Sequence, residues 1–144
     1  MRSNKISLVS GGFDPLHVGH IELFNRARSL SDALFVILNT DRFLFEKKSR
    51  VFMPFKERKI MVENVKGVDL VIPSIDPDNT VCKTLEKLCS LTEAVDAQLI
   101  FCNGGDRTNA KNTPEHEICK KLNIDTVYGL GDKIQSSSWL TESN

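Results

Sequence analysis

The feature that most constrains the fold is a regular alternation of short apolar segments with longer segments of helical periodicity. The segment 33–39 (ALFVILN) is almost wholly apolar, which indicates a strand covered on both faces. Because parallel strands need crossover connections, the alternation predicts an α/β fold: a Rossmann-like open parallel sheet with helices on both faces. Its five predicted strands are Ile6–Ser10, Ala33–Asn39, Asp69–Pro73, Gln98–Cys102 and Asp125–Tyr128.

The segments between these strands carry local signals for helices. The first helix is predicted from Val18 to Leu30, with a buried stripe formed by Ile21, Phe24 and Ala27. The other predicted helices begin at Pro54, within 76–79, at Thr113 and at the serines 136–138. For the helix that begins at Pro54, the periodicity predicts a buried face of Ile60, Met61 and Val65 and a stop at Gly67.

Length and charge restrict the function. The 144 residues, 40% of them hydrophobic, predict one domain over residues 1–144. The 19 basic and 19 acidic residues cancel, which argues against general binding to nucleic acid or anionic membranes.

No apolar run approaches the roughly 20 residues that span a bilayer, and no signal peptide is evident, so we expect a cytoplasmic protein. The cysteine spacing predicts no zinc site, and Cys82 and Cys89 are expected in the core.

Three loops at the carboxyl ends of the predicted strands are rich in glycine or hydroxyl side chains. They are 11–20 after the first strand, 103–107 after the fourth and 129–138 after the fifth. Such loops let backbone amides approach a phosphate closely. Open parallel sheets bind ligands at this edge, so the three loops predict a site for a phosphorylated ligand.

The first of these loops holds two of the three histidines in the chain, His17 and His20. Their spacing of three residues at a helix start places both imidazoles on one face, where they can converge on an anion together with free amides. Two alternatives stay open at this point: the histidines cap the helix, or they bind a metal. The absence of a nearby third ligand in the sequence disfavours the metal.

The segment 12–20 (GFDPLHVGH) resembles the G-x-F-D-x-x-H-x-G-H signature of the cytidylyltransferase-like nucleotidyltransferases. The similarity continues at 39–43, Lys47, 56–59 and 68–73, whose order and spacing resemble the glycerol-3-phosphate cytidylyltransferases. It covers most of residues 6–74 and becomes patchy beyond them.

The resemblance implies transfer of a nucleotidyl group from a nucleoside triphosphate to a small phosphorylated alcohol such as glycerol 3-phosphate, with release of pyrophosphate. It implies Mg²⁺ held mainly by the triphosphate, with no dedicated protein ligands, and a homodimer. Its candidate catalytic residues are His17, His20, Lys47 and Arg58. The candidate nucleotide-binding residues are Gly12, Phe13, Asp14, Gly19, Gly105, Asp106, Lys133, Gln135, Ser136, Ser137 and Ser138.

The second half of the chain departs from the family pattern. Residues 131–138 keep the hydroxyls of a phosphate-binding segment but lack its arginine, a role that Lys133 fills less well because a lysine cannot make a bidentate contact. The sequence 104–106 (GGD) is more similar to the heptose-phosphate adenylyltransferases. We therefore expect CTP as the preferred donor, with an ATP-dependent adenylyltransferase of sugar phosphates and a non-catalytic nucleotide-binding regulatory module as alternatives. Trp139 is expected in the core or an interface, and His116 on the surface.

Overall fold

A computed structural model describes residues 4–103 and 113–130 of the chain. In these residues five parallel strands form one sheet, with the spatial order β3-β2-β1-β4-β5. The predicted fold class is confirmed. The strands are β1 (Asn4–Gly11), β2 (Ala33–Leu38), β3 (Leu70–Pro73), β4 (Ala97–Cys102) and β5 (Asp125–Val127). The helices are α1 (Val18–Ser29), α2 (Asp41–Lys48), α3 (Phe55–Glu63), α4 (Cys82–Glu93) and α5 (Pro114–Leu122).

Apolar side chains on the two faces of the sheet form two separate cores. On one face α1 and α3 cover the sheet, and Phe24 and Val62 are completely buried there. On the other face α4 and α5 pack on the sheet through Leu85 and Cys119. The central strands β1 and β2 contribute to both cores, which explains why β2 reads as an almost continuous apolar run.

Helix α1 begins and ends close to its predicted limits, but its predicted stripe is partly wrong. Phe24 and Ala27 are fully buried, whereas Ile21 is 38% exposed. Leu23 of α1 packs at the edge of the core, as does Leu16, which precedes the helix. The buried face of α1 is therefore shifted from Ile21 toward Leu23 relative to the predicted stripe.

The connection between β2 and β3 contains two helices where the sequence predicted one. Thr40 caps the unpredicted helix α2 by accepting a hydrogen bond from Phe43 N–H at 3.1 Å. Pro54 precedes α3 rather than opening it, and α3 ends at Glu63, well before Gly67. The predicted buried face is wrong at Ile60 and Met61, whereas Val65, just beyond the helix, packs against the core.

On α3 the side chains of Ile60 and Met61 are 51% and 48% exposed. Arg58 and Val62 are completely buried in their place. The sequence pattern does not predict a buried arginine, because burial of a charge requires partners that a local pattern does not reveal.

The other two helices follow their predicted signals more closely. Asp76 accepts hydrogen bonds from the N–H groups of Lys83 and Thr84, so the predicted turn caps α4 from a short distance. Thr113 caps α5, and Pro114 occupies its first turn. Cys82 and Cys89 are half-buried rather than fully in the core. Among the described residues, no helix is both long and apolar enough to cross a membrane.

Candidate active site

The loop after β1 lies where the connections of the sheet change direction. The chain passes from β1 to β2 on one side, while the crossover that follows β3 returns to β4 on the other side of β1. In open parallel sheets this change of direction opens a crevice at the carboxyl ends of the strands. The structure thus places residues 12–20 at the position where a ligand is expected.

His17 and His20 form a reciprocal cap at the start of α1. Nδ1 of His17 accepts a hydrogen bond from Gly19 N–H at 3.0 Å, and His17 N–H donates to Nδ1 of His20 at 3.1 Å. The two rings stack with their centroids 3.8 Å apart. A Ser or Thr with a Glu or Gln usually makes this capping box. Capping and ligand binding are therefore not exclusive here, because the cap uses only one nitrogen of each ring.

The cap also fixes the protonation of the two rings. Because each Nδ1 accepts a hydrogen bond, the proton of the neutral ring is on Nε2. Burial lowers the pKa of His17, and burial together with the neighbouring His17 lowers the pKa of His20 to about 4. Both imidazoles are neutral at pH 7 and carry an Nε2–H donor. We call His17 and His20 the histidine pair.

One of these donors has no acceptor within the described residues. Nε2 of His17 is buried and makes no hydrogen bond there. Buried donors without a partner are uncommon in folded proteins and need an explanation. An anionic ligand with oxygen acceptors, such as a polyphosphate, would satisfy this donor.

Gly12 and Phe13 shape the turn that leads from β1 to the histidine pair. A Cβ atom on Gly12 would overlap the side chain of Leu44, so glycine allows α2 to approach the loop closely. Phe13 has a φ of 51°, in the left-handed region, and its ring packs edge-on against His20 at 4.9 Å between centroids. The loop is therefore held against both α1 and α2.

Asp14, predicted to bind nucleotide, directs its carboxylate to the protein. The side chain is fully buried and accepts hydrogen bonds from the N–H groups of Phe52 at 2.7 Å and Met53 at 2.6 Å. Lys48 Nζ lies 3.4 Å from the same carboxylate and 3.0 Å from the Asp14 carbonyl oxygen. These contacts fasten the segment between α2 and α3 to the loop after β1.

Arg58, predicted to be catalytic, is completely enclosed. Its Nε donates to Met53 O at 2.9 Å, and its Nη1 donates to Gly12 O at 3.0 Å and Asn39 O at 2.8 Å. Its Nη2 donates to Asp41 Oδ1 at 2.6 Å. One guanidinium thus joins the ends of β1 and β2 to the starts of α2 and α3. We call Asp14, Asp41, Lys48 and Arg58 the charged layer.

Lys47 differs from the other candidate catalytic residues because it is exposed. It lies in the last turn of α2, and its Nζ is 6.0 Å from the centroid of the Phe43 ring on the same helix. Its neighbour Lys48 turns inward to Asp14. The structure therefore brings Gly12, Phe13, Asp14, His17, Gly19, His20 and Arg58 together, and leaves the ammonium of Lys47 open to solvent nearby in the chain.

The candidates of the second half lie outside the described residues: Gly105, Asp106, Lys133, Gln135, Ser136, Ser137 and Ser138. Trp139 and the predicted last helix lie outside them too. His116, expected on the surface, is half-buried, and its Nδ1 contacts the hydroxyl of Tyr128. The contact ties the start of α5 to the end of β5.

Sequence reasoning missed Asn39 and Lys48 as parts of this region. Asn39 is 6% exposed, and its side-chain oxygen has no hydrogen-bond partner among the described residues. A polar residue that ends an apolar strand at the ligand edge of a sheet was the available signal. Lys48 had no comparable signal, because it stands in a run of basic residues that indicates a solvated surface.

Comparisons with known proteins show the family to which the chain is related. A family model described as cytidylyltransferase-like matches residues 8–139. Glycerol-3-phosphate cytidylyltransferase of Staphylococcus aureus is 48% identical over 63 residues, which are 44% of this chain and 48% of that protein. The match thus spans about half the length of this relative and of the glycerol-3-phosphate cytidylyltransferase of Bacillus subtilis.

Two further similarities extend over more of the chain. The bifunctional protein HldE of Actinobacillus pleuropneumoniae is 30% identical over 115 residues, which are 73% of this chain and 24% of that protein. A crystal structure of the lipopolysaccharide core biosynthesis protein from Thermoplasma volcanium gives a TM-score of 0.64 at 20% identity. It covers 88% of this chain and 96% of that one. At this identity the similarity supports the fold alone.

Proposed function

The chain belongs to the cytidylyltransferase-like family, and from this premise we propose that it is a nucleotidyltransferase that uses CTP. The acceptor in this proposal is a small phosphorylated alcohol such as glycerol 3-phosphate, which the name of a relative supports. An oxygen of the acceptor phosphate attacks the α-phosphorus of CTP. The bond from that phosphorus to the oxygen bridging to the β-phosphate breaks, and pyrophosphate leaves.

The single observation that carries this proposal is the unsatisfied donor of the histidine pair. Negative charge on the phosphate oxygens shifts during the transfer, and fixed donors aimed at those oxygens stabilise the transition state. His17 and His20 meet this requirement because their Nδ1 atoms are held by the backbone of α1. The rings need no reorientation when the substrate binds, and their Nε2–H groups donate to the triphosphate.

Positive charge for the triphosphate comes from outside the histidine pair, because both of its rings are neutral at pH 7. The start of α1 places the positive end of the helix dipole at the same loop, and Lys47 supplies an exposed ammonium. The described residues contain no group of three His, Cys, Asp or Glu side chains suited to a metal. In this proposal Mg²⁺ is carried by triphosphate oxygens and water, where the ion would neutralise phosphate charge.

The alternative donor is ATP. The sequence 104–106 (GGD) resembles the heptose-phosphate adenylyltransferases, and the similarity to HldE covers more of the chain than the similarity to the glycerol-3-phosphate cytidylyltransferases. Base selection rests on a few hydrogen bonds in a pocket, so a small change in this loop can reverse it. The reaction type and the histidine chemistry are the same for both donors.

The proposal is tested by pyrophosphate release. The chain is incubated with Mg²⁺ and each of CTP, ATP, GTP and UTP, paired with glycerol 3-phosphate or a sugar 1-phosphate. We expect turnover with CTP and glycerol 3-phosphate, and a rate at least about 10²-fold lower with a variant carrying both His17→Asn and His20→Gln. Turnover with ATP alone would show that the nucleotide donor is ATP and not CTP. Nucleotide binding without release of pyrophosphate in any pairing would contradict an enzymatic function and favour the non-catalytic regulatory module.

We also propose a cytoplasmic homodimer, a state that family resemblance supports. Light scattering at micromolar concentration should give twice the mass of one chain. A single-chain mass at the same concentration would contradict the dimer. Cell fractionation should recover the protein with cytoplasmic markers, and recovery in another fraction would contradict the location.

A further inference from the structure

We propose that Arg58 is a positioning residue that acts on the nucleotide through the Gly12–Phe13 peptide, without touching a phosphate itself. The inference rests on the proposed nucleotidyl transfer. It assigns to Arg58 a different role from the catalytic one that the family resemblance implies.

The hydrogen bonds of Arg58 leave it little capacity for a ligand. A guanidinium has five N–H donors, and four hydrogen bonds go to the protein acceptors Met53 O, Gly12 O, Asn39 O and Asp41 Oδ1. The side chain has no exposed surface. A phosphate could reach the guanidinium only by displacing residues that the same guanidinium holds in place.

The bond to Gly12 sets the direction of the next amide. In a trans peptide the C=O and the following N–H point in opposite directions. Because Gly12 O accepts from Arg58 Nη1 at 3.0 Å, the N–H of Phe13 faces away from Arg58. No backbone carbonyl of the described residues accepts a hydrogen bond from this N–H. The Phe13 amide is therefore an oriented and available donor at the ligand edge of the sheet.

Arg58 also supports an unfavourable backbone conformation. The φ of 51° at Phe13 lies in a region that residues with a side chain rarely adopt. Such a conformation persists only where its surroundings impose it. The Phe13 ring is held by His20 and Phe24 on one side, and the peptide before it is held by Arg58. Loss of the guanidinium would free this peptide to rotate.

Asp41 gives the cleanest test, because its carboxylate holds Arg58 while its side chain is 47% exposed. We compare Asp41→Asn and Arg58→Lys with a control, Lys59→Met, which changes an exposed cation on the same helix paired with Glu63. Lysine cannot reproduce the fork of an arginine, so Arg58→Lys loses most of the four bonds.

For a positioning role, we expect Arg58→Lys to lower kcat about 100-fold, since a small misplacement of a donor has effects of this size. Asp41→Asn should lower kcat about tenfold through one weakened charged hydrogen bond. KM for either substrate should change less than threefold in both variants, because an amide aligned with the transition state affects kcat most. Lys59→Met should behave as the wild type.

A second readout needs no turnover. In ¹H–¹⁵N spectra of the free protein, the Phe13 amide signal should move in Arg58→Lys and Asp41→Asn but not in Lys59→Met. If the wild type shows no turnover, the proposed function fails while this signal still tests the coupling. A tenfold rise in acceptor KM at unchanged kcat in Arg58→Lys, with Asp41→Asn unaffected, would overturn the proposal in favour of direct contact. An unmoved Phe13 signal in Asp41→Asn, with wild-type kcat, would overturn it even where Arg58→Lys does not fold.

Discussion

The histidine pair and the charged layer adjoin the same loop but use their hydrogen-bonding capacity in opposite ways. The histidine pair gives one nitrogen of each ring to the backbone at the start of α1, and the buried Nε2 of His17 has no acceptor among the described residues. The charged layer gives its carboxylates and its guanidinium to backbone groups and to each other. The comparison teaches that strongly charged residues can hold the backbone of a site in place, while the side chains proposed to contact the ligand are neutral.

The sharpest way to break this comparison is to remove the free nitrogens while keeping the cap. His17→Asn retains a side-chain oxygen at the N-cap, and His20→Gln retains the acceptor of a capping box. Each should lower kcat about 10²–10³-fold, the typical loss for one preorganised donor. The melting temperature should change little. Steady-state kinetics and thermal unfolding measure the two effects.

The alanine variants give the matched control. His17→Ala and His20→Ala remove the cap as well as the donor, so each should also destabilise the protein by about 1 kcal/mol. Because both rings act on one triphosphate, the double variant should lose less activity than the product of the single losses. A fully active His17→Asn beside an unstable His17→Ala would show that His17 only caps the helix.

Lys47 is an exposed cation that the proposed function places in contact with a substrate, as it does the histidine pair. Lys47→Gln should raise KM for one of the two substrates by about 10- to 100-fold, the equivalent of one charged hydrogen bond. Stability should not change, because the side chain is exposed. Lys56→Gln, in the same basic run, is the control and should keep the wild-type KM. Equal KM values in the two variants would place Lys47 among the solvated charges.

The sequence contained enough to predict the sheet and the ligand edge, and the reason lies in local signals. The strand β2 is apolar on both faces, and the histidines stand at a fixed spacing at the start of a helix. Each signal is complete within about ten residues, so it can be read without knowledge of the rest of the chain. The sequence left capping open as an alternative to ligand binding, whereas the two roles are compatible because the cap uses one nitrogen of each ring.

The charged layer could not be predicted in this way, because its partners come from distant parts of the chain. Arg58 is buried because carbonyl groups of Gly12 and Asn39 reach it, and these lie 46 and 19 residues away. The pattern on α3 therefore favoured Ile60 and Met61 for the core, and both are exposed. A helical stripe shows which side chains are apolar, but it does not show which charges find partners.

The pH dependence of stability separates the two clusters further. The folded-state pKa of His20 is about 4, below the ordinary value of 6.5, so between these values the unfolded chain binds a proton that the folded chain does not. Stability from this group is complete above pH 6.5 and is lost as the pH falls toward 4. Thermal unfolding of the wild type across this window should show a larger loss than His20→Gln. Equal losses would contradict the neutral state of His20.

The smallest effect on activity and stability is expected from a substitution of Lys48. Within the charged layer only Asp41 has a more exposed side chain. The ammonium of Lys48 is the cationic partner of the fully buried Asp14 carboxylate, which also keeps hydrogen bonds from two amides. Lys48→Met preserves the length and much of the packing of the side chain, so it tests the charge. We expect a loss of about 1 kcal/mol in the free energy of unfolding, below the value for an entirely unpaired buried charge because the amides remain.

The same variant should keep kcat within a few fold of the wild type, because the amides of Phe52 and Met53 still hold Asp14 in place. Lys59→Met removes an exposed ion pair with Glu63 and should change stability by less than about 0.5 kcal/mol. Denaturant unfolding of both variants measures the difference. If Lys48→Met is as stable as Lys59→Met but loses activity like the histidine variants, then Lys48 faces the ligand, and the division between a neutral ligand side and a charged scaffold fails at this residue.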